Sequence, residues 1–208
     1  LHSYHKVFPE LKGKESPALI FARGVANIAI TGSGTINGQG AHQNFQHGND
    51  SKGGPRRPKI IYFIGCNNVR VQDVTLRNSA YWTQDYEKCN GVIVRGVKVY
   101  SHANWNNDGL DIDSRNVVVS DCYIDCDDDA LCLKSDTDTP CENVTVTNCV
   151  LKSNCNAIKF GTSSYSGFKN VTISNCTIDR ASEDHIRQWY KNYPWIGTKH
   201  KTVVAGIA

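Results

Sequence analysis

The sequence predicts an all-β chain wound as a right-handed, single-stranded parallel β-helix with coils of roughly 23–27 residues. Three observations lead there: a short repeat, a period of two inside each copy, and no helical period between copies. The copies are NNVRVQDVTL from Asn67, NGVIVRGVKV from Asn90, RNVVVSDCYI from Arg115, ENVTVTNCVL from Glu142 and KNVTISNCTI from Lys169. A weaker copy, NIAITGSGTI, begins at Asn27. With the first valine of each as register, Val69, Val92, Val117, Val144 and Val171 are separated by 23, 25, 27 and 27 residues. Ile28 precedes Val69 by 41, which fits one coil plus a long loop.

Each copy alternates apolar and polar residues, the mark of a strand with one buried face. One such unit cannot bury that face alone, whereas stacked units form a continuous core. Leucine-rich and ankyrin repeats have similar lengths but need helical segments. Methionine is absent and β-branched residues are plentiful, which also favours strands. The whole chain, 1–208, reads as one domain, and its abrupt ends lead us to expect a piece truncated at both.

The register accounts for most of the nine cysteines. Cys122, Cys149 and Cys176 each fall five residues after the register valine, and Cys66, Cys89 and Cys141 three before it. Two columns of stacked thiols, behaving as small buried hydrophobes, fit better than an odd-numbered disulfide framework. Asp73, Asp121, Asn148 and Asn175 share a column at a turn, a polar ladder. The sequons at Asn143, Asn170 and Asn175 follow from the repeat itself and are weak evidence of glycosylation.

Composition excludes several classes. A net charge of +3, from 23 basic and 20 acidic side chains, gives no basic field for nucleic acid. No run of about 18 apolar residues exists to span a membrane.

A second strand aligns without gaps in three successive coils: DGLDID from Asp108, DALCLK from Asp129 and NAIKFG from Asn156. Leu110 with Ile112, Leu131 with Leu133, and Ile158 with Phe160 should point inward. Asp111, Cys132 and Lys159 then share an outward column, followed by Asp113, Lys134 and Gly161. Asp108, Asp129 and Asn156 stand at the strand entrance, with Asp128 beside them. Stacked carboxylates about 5 Å apart destabilise a sheet. Asp108, Asp111, Asp113, Asp127, Asp128 and Asp129 together therefore point to acid–base chemistry, in which repulsion keeps one carboxyl protonated. A calcium site and a solvated acidic face are the alternatives.

At these residues the chain resembles glycoside hydrolase family 28, the polygalacturonases and rhamnogalacturonan hydrolases. Asn106-Asn107-Asp108-Gly109 is similar to the family's Asn-Thr-Asp-Gly motif, and Asp128-Asp129-Ala130 to its paired aspartates. ALIFARGVANIAITGSGTINGQG (Ala18–Gly40) and TLRNSAYWT (Thr75–Thr83) are similar to upstream family signatures. The resemblance implies inverting hydrolysis of a pectic polysaccharide without a cofactor or metal. It gives Asp128 the role of general acid and Asp108 and Asp129 that of holding and deprotonating the water. Inversion is associated with carboxyls roughly 6.5–9.5 Å apart; the tighter strand spacing fixes backbones, not side-chain tips. The resemblance also implies a secreted or periplasmic, monomeric protein.

Two departures stand out. Where polygalacturonases have Gly-His-Gly, this chain has Cys155-Asn156-Ala157, and where Arg-Ile-Lys is expected it has Ala205-Gly206-Ile207-Ala208. Substrate contacts are expected instead from Asn106, His102, Asn156, Lys134, Lys159 and Arg187. For Lys159 an ion pair with Asp111 competes with uronate binding, and for His102 a structural role competes with a subsite. The aromatic segment Ser182–Trp195 walls the cleft or packs on the helix. Two other functions stay open: a calcium-dependent polysaccharide lyase or epimerase, and a non-catalytic carbohydrate-binding β-helix.

Overall fold

A computed structural model describes residues 18–45, 57–183 and 205–208. These form a parallel β-helix with three walls. The first wall stacks β1 (Ala18–Arg23), β4 (Lys59–Ile64), the start of β7 (Gln84–Arg95), the start of β9 (Leu110–Ser120), β11 (Leu131–Ser135), β14 (Asn156–Ser164) and β17 (Ala205–Ile207). The second stacks β2 (Ala26–Thr31), β5 (Asn67–Gln72), the ends of β7 and β9, β12 (Cys141–Thr147) and β15 (Phe168–Ser174). Six short strands make the third: β3 (Thr35–Asn37), β6 (Thr75–Arg77), β8 (Lys98–Ser101), β10 (Tyr123–Cys126), β13 (Val150–Ser153) and β16 (Thr177–Arg180).

The register expected from the repeat is the register of the second wall. Ile28, Val69, Val92, Val117, Val144 and Val171 pair in one unbroken column. In the first wall Leu110, Leu131 and Ile158 pair, as do Ile112, Leu133 and Phe160. The third wall adds Ile36, Leu76, Val99, Ile124, Leu151 and Ile178. The inward columns meet in a single apolar cluster along the axis. Its burial is the main favourable term holding the coils together.

Corners between walls need left-handed backbone, which Gly, Asn and Asp adopt at least cost. Asn27, Asn68, Asn116, Asn143 and Asn170 all have φ between 53° and 61° at the first corner. Their amides form a chain from coil to coil: Asn143 Nδ2 donates to Asn116 Oδ1 at 3.0 Å, and Asn170 Nδ2 to Asn143 Oδ1 at 3.0 Å. At the next corner Asp73, Asp121, Asn148 and Asn175 are also left-handed, and Asn148 donates to Asp121 at 3.4 Å, so this column is the expected polar ladder.

All nine cysteines are free, and eight are buried. The structure adds a reason for thiols here. Cys66, Cys89, Cys122, Cys149 and Cys176 each follow a left-handed residue and donate to the carbonyl two positions earlier, at 3.2–3.4 Å. Ser114 takes the same position between Cys89 and Cys141, and its hydroxyl accepts from the Cys89 amide at 2.9 Å. Among the described residues no helix is long and apolar enough to cross a membrane.

Two stability measurements follow. Leu133 is fully buried in the apolar cluster, so Leu133→Ala should cost about 2–5 kcal/mol in urea denaturation. Asp113 is pushed up to about 6, chiefly by burial and then by the Asp136, Glu87 and Asp85 carboxylates, against the Asp136 amide that favours its charge. A native value above the unfolded one means the native state binds the proton more tightly, and stability falls as pH rises through that interval. Asp113→Asn should therefore be more stable than wild type at pH 7, with the gap opening between about pH 4 and 6 at up to about 1.4 kcal/mol per pH unit.

Candidate active site

The Asn-Asn-Asp-Gly turn is held by its own side chains. Asn107 is buried and donates to the Ser79 and Tyr81 carbonyls at 2.8 and 3.2 Å, while its Oδ1 accepts the Asn104 amide at 2.8 Å. This ties the turn before β9 to the loop before β7. Asp108 follows, buried, with its carbonyl accepting from Thr83 at 2.8 Å. Gly109 is obligatory for space: a Cβ there would lie 2.3 Å from Ile124 Cγ2 and 2.6 Å from the Ala130 carbonyl oxygen. Backbone bonds from Gly109 to Asp129 and from Ala130 to Asn156, both 2.9 Å, put Asp108, Asp129 and Asn156 on successive coils.

The paired aspartates sit in different surroundings. Asp128 Oδ1 accepts the Asp129 amide at 3.0 Å, and Oδ2 accepts Asn106 Nδ2 at 3.4 Å. Asn106 is oriented by Arg57, whose Nη2 donates to its Oδ1 at 3.0 Å. Asp129 has firmer contacts: Asn156 Nδ2 on Oδ1 at 2.6 Å and Lys159 Nζ on Oδ2 at 2.9 Å. Cys155 Sγ and one oxygen each of Asp128 and Asp129 lie within 4.8 Å of one another. The group suits a cation poorly. Burial first, and then Asp129, push the thiol well up, so it stays protonated, and the Lys159 ammonium already faces Asp129.

Outside this trio the expected acidic face is neither solvated nor purely acidic. Asp85 and Asp111 are neighbours in one outward column, and both are buried. Lys59 pairs with Asp85, and Lys134 with Asp111 at 3.3 Å. Both ammonium groups lie 4.5 Å from the centre of the Trp82 ring. Tyr81 stacks on Trp82 at 5.1 Å, with the Arg57 guanidinium 4.9 Å above Tyr81. Burial and then the Asp108 and Asp111 charges push the Tyr81 hydroxyl up to about 12, against Arg57 and Lys134. Asp111 itself is raised well above the carboxylate range, mainly by burial and then by Asp108, with Lys134 opposing.

Several expected substrate contacts have protein partners instead. Lys134 is 11% exposed and tied to Asp111. Lys159 pairs with Asp129 and not with Asp111, because Cys132 separates the two within their column. Asn156 holds Asp129, and Asn106 bridges Arg57 to Asp128. His102, considered for a subsite, is buried with Nε2 on Asp125 at 3.0 Å. Arg187 and nearly all of Ser182–Trp195 lie outside the described residues. Sequence reasoning missed Arg57 and Tyr81 near the carboxylates. Tyr81 lay within a stretch already noted for its resemblance, whereas nothing local distinguished Arg57.

Two plant proteins named Probable polygalacturonase are similar to the chain. One, of Arabidopsis thaliana, is 32% identical over 128 residues, covering 61% of this chain and 26% of its own. The other, of Vitis vinifera, is 32% identical over 126 residues, covering 58% and 25%. The crystal structure of a hyperthermoactive exopolygalacturonase from Thermotoga maritima superposes with a TM-score of 0.69 at 26% identity, over 80% of this chain and 48% of that one. The chain thus spans about a quarter of the length of the plant relatives and about half of the exopolygalacturonase. The family model described as Glycosyl hydrolases family 28 matches residues 8–188. With that match over most of its length, and with a parallel β-helix carrying the paired aspartates, the chain belongs to glycosyl hydrolase family 28.

Proposed function

We propose that this chain carries the catalytic centre of a glycosidase that hydrolyses a pectic polysaccharide, galacturonan or rhamnogalacturonan, with inversion. The observation that supports this best is the unequal setting of Asp128 and Asp129 one coil from Asp108. Asp129 receives an ammonium and an amide, which suit a carboxylate, whereas the bonds described to Asp128 come from the Asn106 amide and the Asp129 backbone N–H. Two neighbouring carboxyls in unlike settings are how one site supplies both an acid and a base.

In this reading Asp128 transfers its proton to the glycosidic oxygen as the bond from that oxygen to the anomeric carbon breaks. A water between Asp108 and Asp129 attacks the anomeric carbon from the opposite face and gives up a proton to one of them. One water is consumed, and two hydroxyls result. No cofactor enters. Asn106 and Asn156 shape the acid and the water site, and His102 is left out of the substrate contacts. The Cys155-Asn156-Ala157 departure is the reason for proposing a pectic backbone and not homogalacturonan alone.

The experiment is a screen of pectin fractions with product analysis. Hydrolysis gives new reducing ends without an unsaturated, ultraviolet-absorbing product, and chelators leave the rate unchanged. Proton NMR of the first product reads the anomeric configuration directly. Asp128→Asn should lower kcat by at least about 100-fold with the fold intact by circular dichroism, since general acid catalysis is typically worth 10²–10⁴; unchanged turnover would remove Asp128 as the acid. Arg57→Met should lower kcat less, by about tenfold, through a loosened Asn106, and should also lower the unfolding midpoint, because the buried guanidinium donates to the Ala80 and Trp105 carbonyls and their loss costs about 1–3 kcal/mol.

A further inference from the structure

On the reading just proposed, Asp129 works as a water-binding carboxylate, and the structure assigns a way of keeping it so that does not use the motif histidine. We propose that Lys159 is a positioning residue for Asp129: its ammonium fixes Asp129 as a carboxylate, and the Asn156 amide fixes the carboxylate's plane.

The geometry comes from adjacent coils. Asn156 and Lys159 lie on β14, stacked on β11, which Asp129 precedes. The Asn156 backbone and side-chain nitrogens both reach Asp129 Oδ1, at 3.3 and 2.6 Å. Lys159 Nζ reaches Oδ2 at 2.9 Å. Every protein contact named for these oxygens is therefore a donor, which suits a carboxylate and not a carboxylic acid. Oδ1 has two donors, whereas Oδ2 has the Lys159 bond and a second lone pair on which a water can be held. Asp129 is 2% exposed and the Lys159 side chain 26%, so the pair is only partly screened.

The other charged and titratable groups around Asp129 make the ammonium necessary. Asp108 faces it from the preceding coil, Asp128 adjoins it, and Asp127 lies one residue further back. Cys126, Cys132 and Cys155 add thiols that burial keeps protonated. Among the described residues Lys159 is the cation placed on Asp129 itself. Burial works to lower the Lys159 pKa, and Asp129 outweighs it, so the ammonium is held above the ordinary lysine range. A lysine bound only for sheet stability would make these contacts too, but its loss would not move the pH dependence of turnover.

The test compares pH profiles of kcat/KM for the full chain with Lys159→Met and Lys159→Arg, on the pectin fraction that gives turnover. Removing an ammonium beside a carboxylate makes deprotonation harder. In Lys159→Met the acid limb should therefore move to higher pH by about 1–3 units, while Lys159→Arg should keep it near the wild-type position. A changed KM with an unmoved limb would overturn the proposal and return Lys159 to substrate binding or to structure. A second measurement is independent of turnover: the ¹³C resonance of the Asp129 carboxyl, assigned by its loss in Asp129→Asn, followed through a pH titration. Its midpoint should rise in Lys159→Met; an unchanged midpoint would overturn the inference. A raised midpoint in a chain that hydrolyses no pectic polymer would uphold the role of Lys159 and reject the hydrolase reading.

Discussion

Everything in this molecule depends on each coil returning to the register of the one before it. The apolar columns, the amide ladder and the carboxylate column are three views of that constraint. A residue's neighbours in space are fixed by counting one coil along the chain, and side-chain columns repeat at the roughly 4.8 Å spacing of parallel strands. Left-handed corners maintain the count. Asn, Asp and Gly adopt that conformation readily, and the i−2 thiol bonds occupy carbonyls beside it. The core supplies the driving force, but the corners set the phase.

The site uses the same regularity and breaks it at one end of the first wall. Stacking Asp108 above Asp129 would be unfavourable in an ordinary sheet. Donors from three directions make it tolerable here: Arg57 through Asn106, Lys134 on Asp111, and Lys159 with Asn156 on Asp129. Lys59, Lys134, Asp85 and Asp111 around Trp82 form a largely buried patch of balanced charge on the same wall. Buried pairs of this kind hold geometry more than they add stability. Side chains with fixed positions would suit the proposed division of labour between Asp128 and Asp129.

The columns were legible because the repeat states the period and parallel pairing does the rest. Val69, Val92, Val117, Val144 and Val171, and the coincidence of Asp108 with Asp129, needed only counting. What could not be counted was where long side chains end. Lys159 shares a column with Asp111 but lies two coils away, whereas Asp129 is one coil away and three residues toward the strand entrance, within reach of a four-carbon stem. For His102 the choice between a subsite and a structural role stayed open because Asp125, its partner, is on the next coil of the third wall. Arg57 lies outside every copy of the repeat, so no register connects it to Asn106. The thiol columns were seen, but Ser114 interrupts one of them, and the i−2 bonds that make a small donor useful depend on corner geometry that alternation alone does not encode.

The amide ladder also bears on modification. Asn143 and Asn170 both belong to glycosylation sequons and both are rungs of the corner ladder. The atom that would carry a glycan is the same Nδ2 that donates to the coil below. A sugar added before folding would enter the stack at a rung, while a folded coil keeps that nitrogen engaged with its neighbour. For these two sequons the ladder bond takes one of the two amide hydrogens, so a glycan on a wound coil would have to replace the other and leave the stack at the exposed corner.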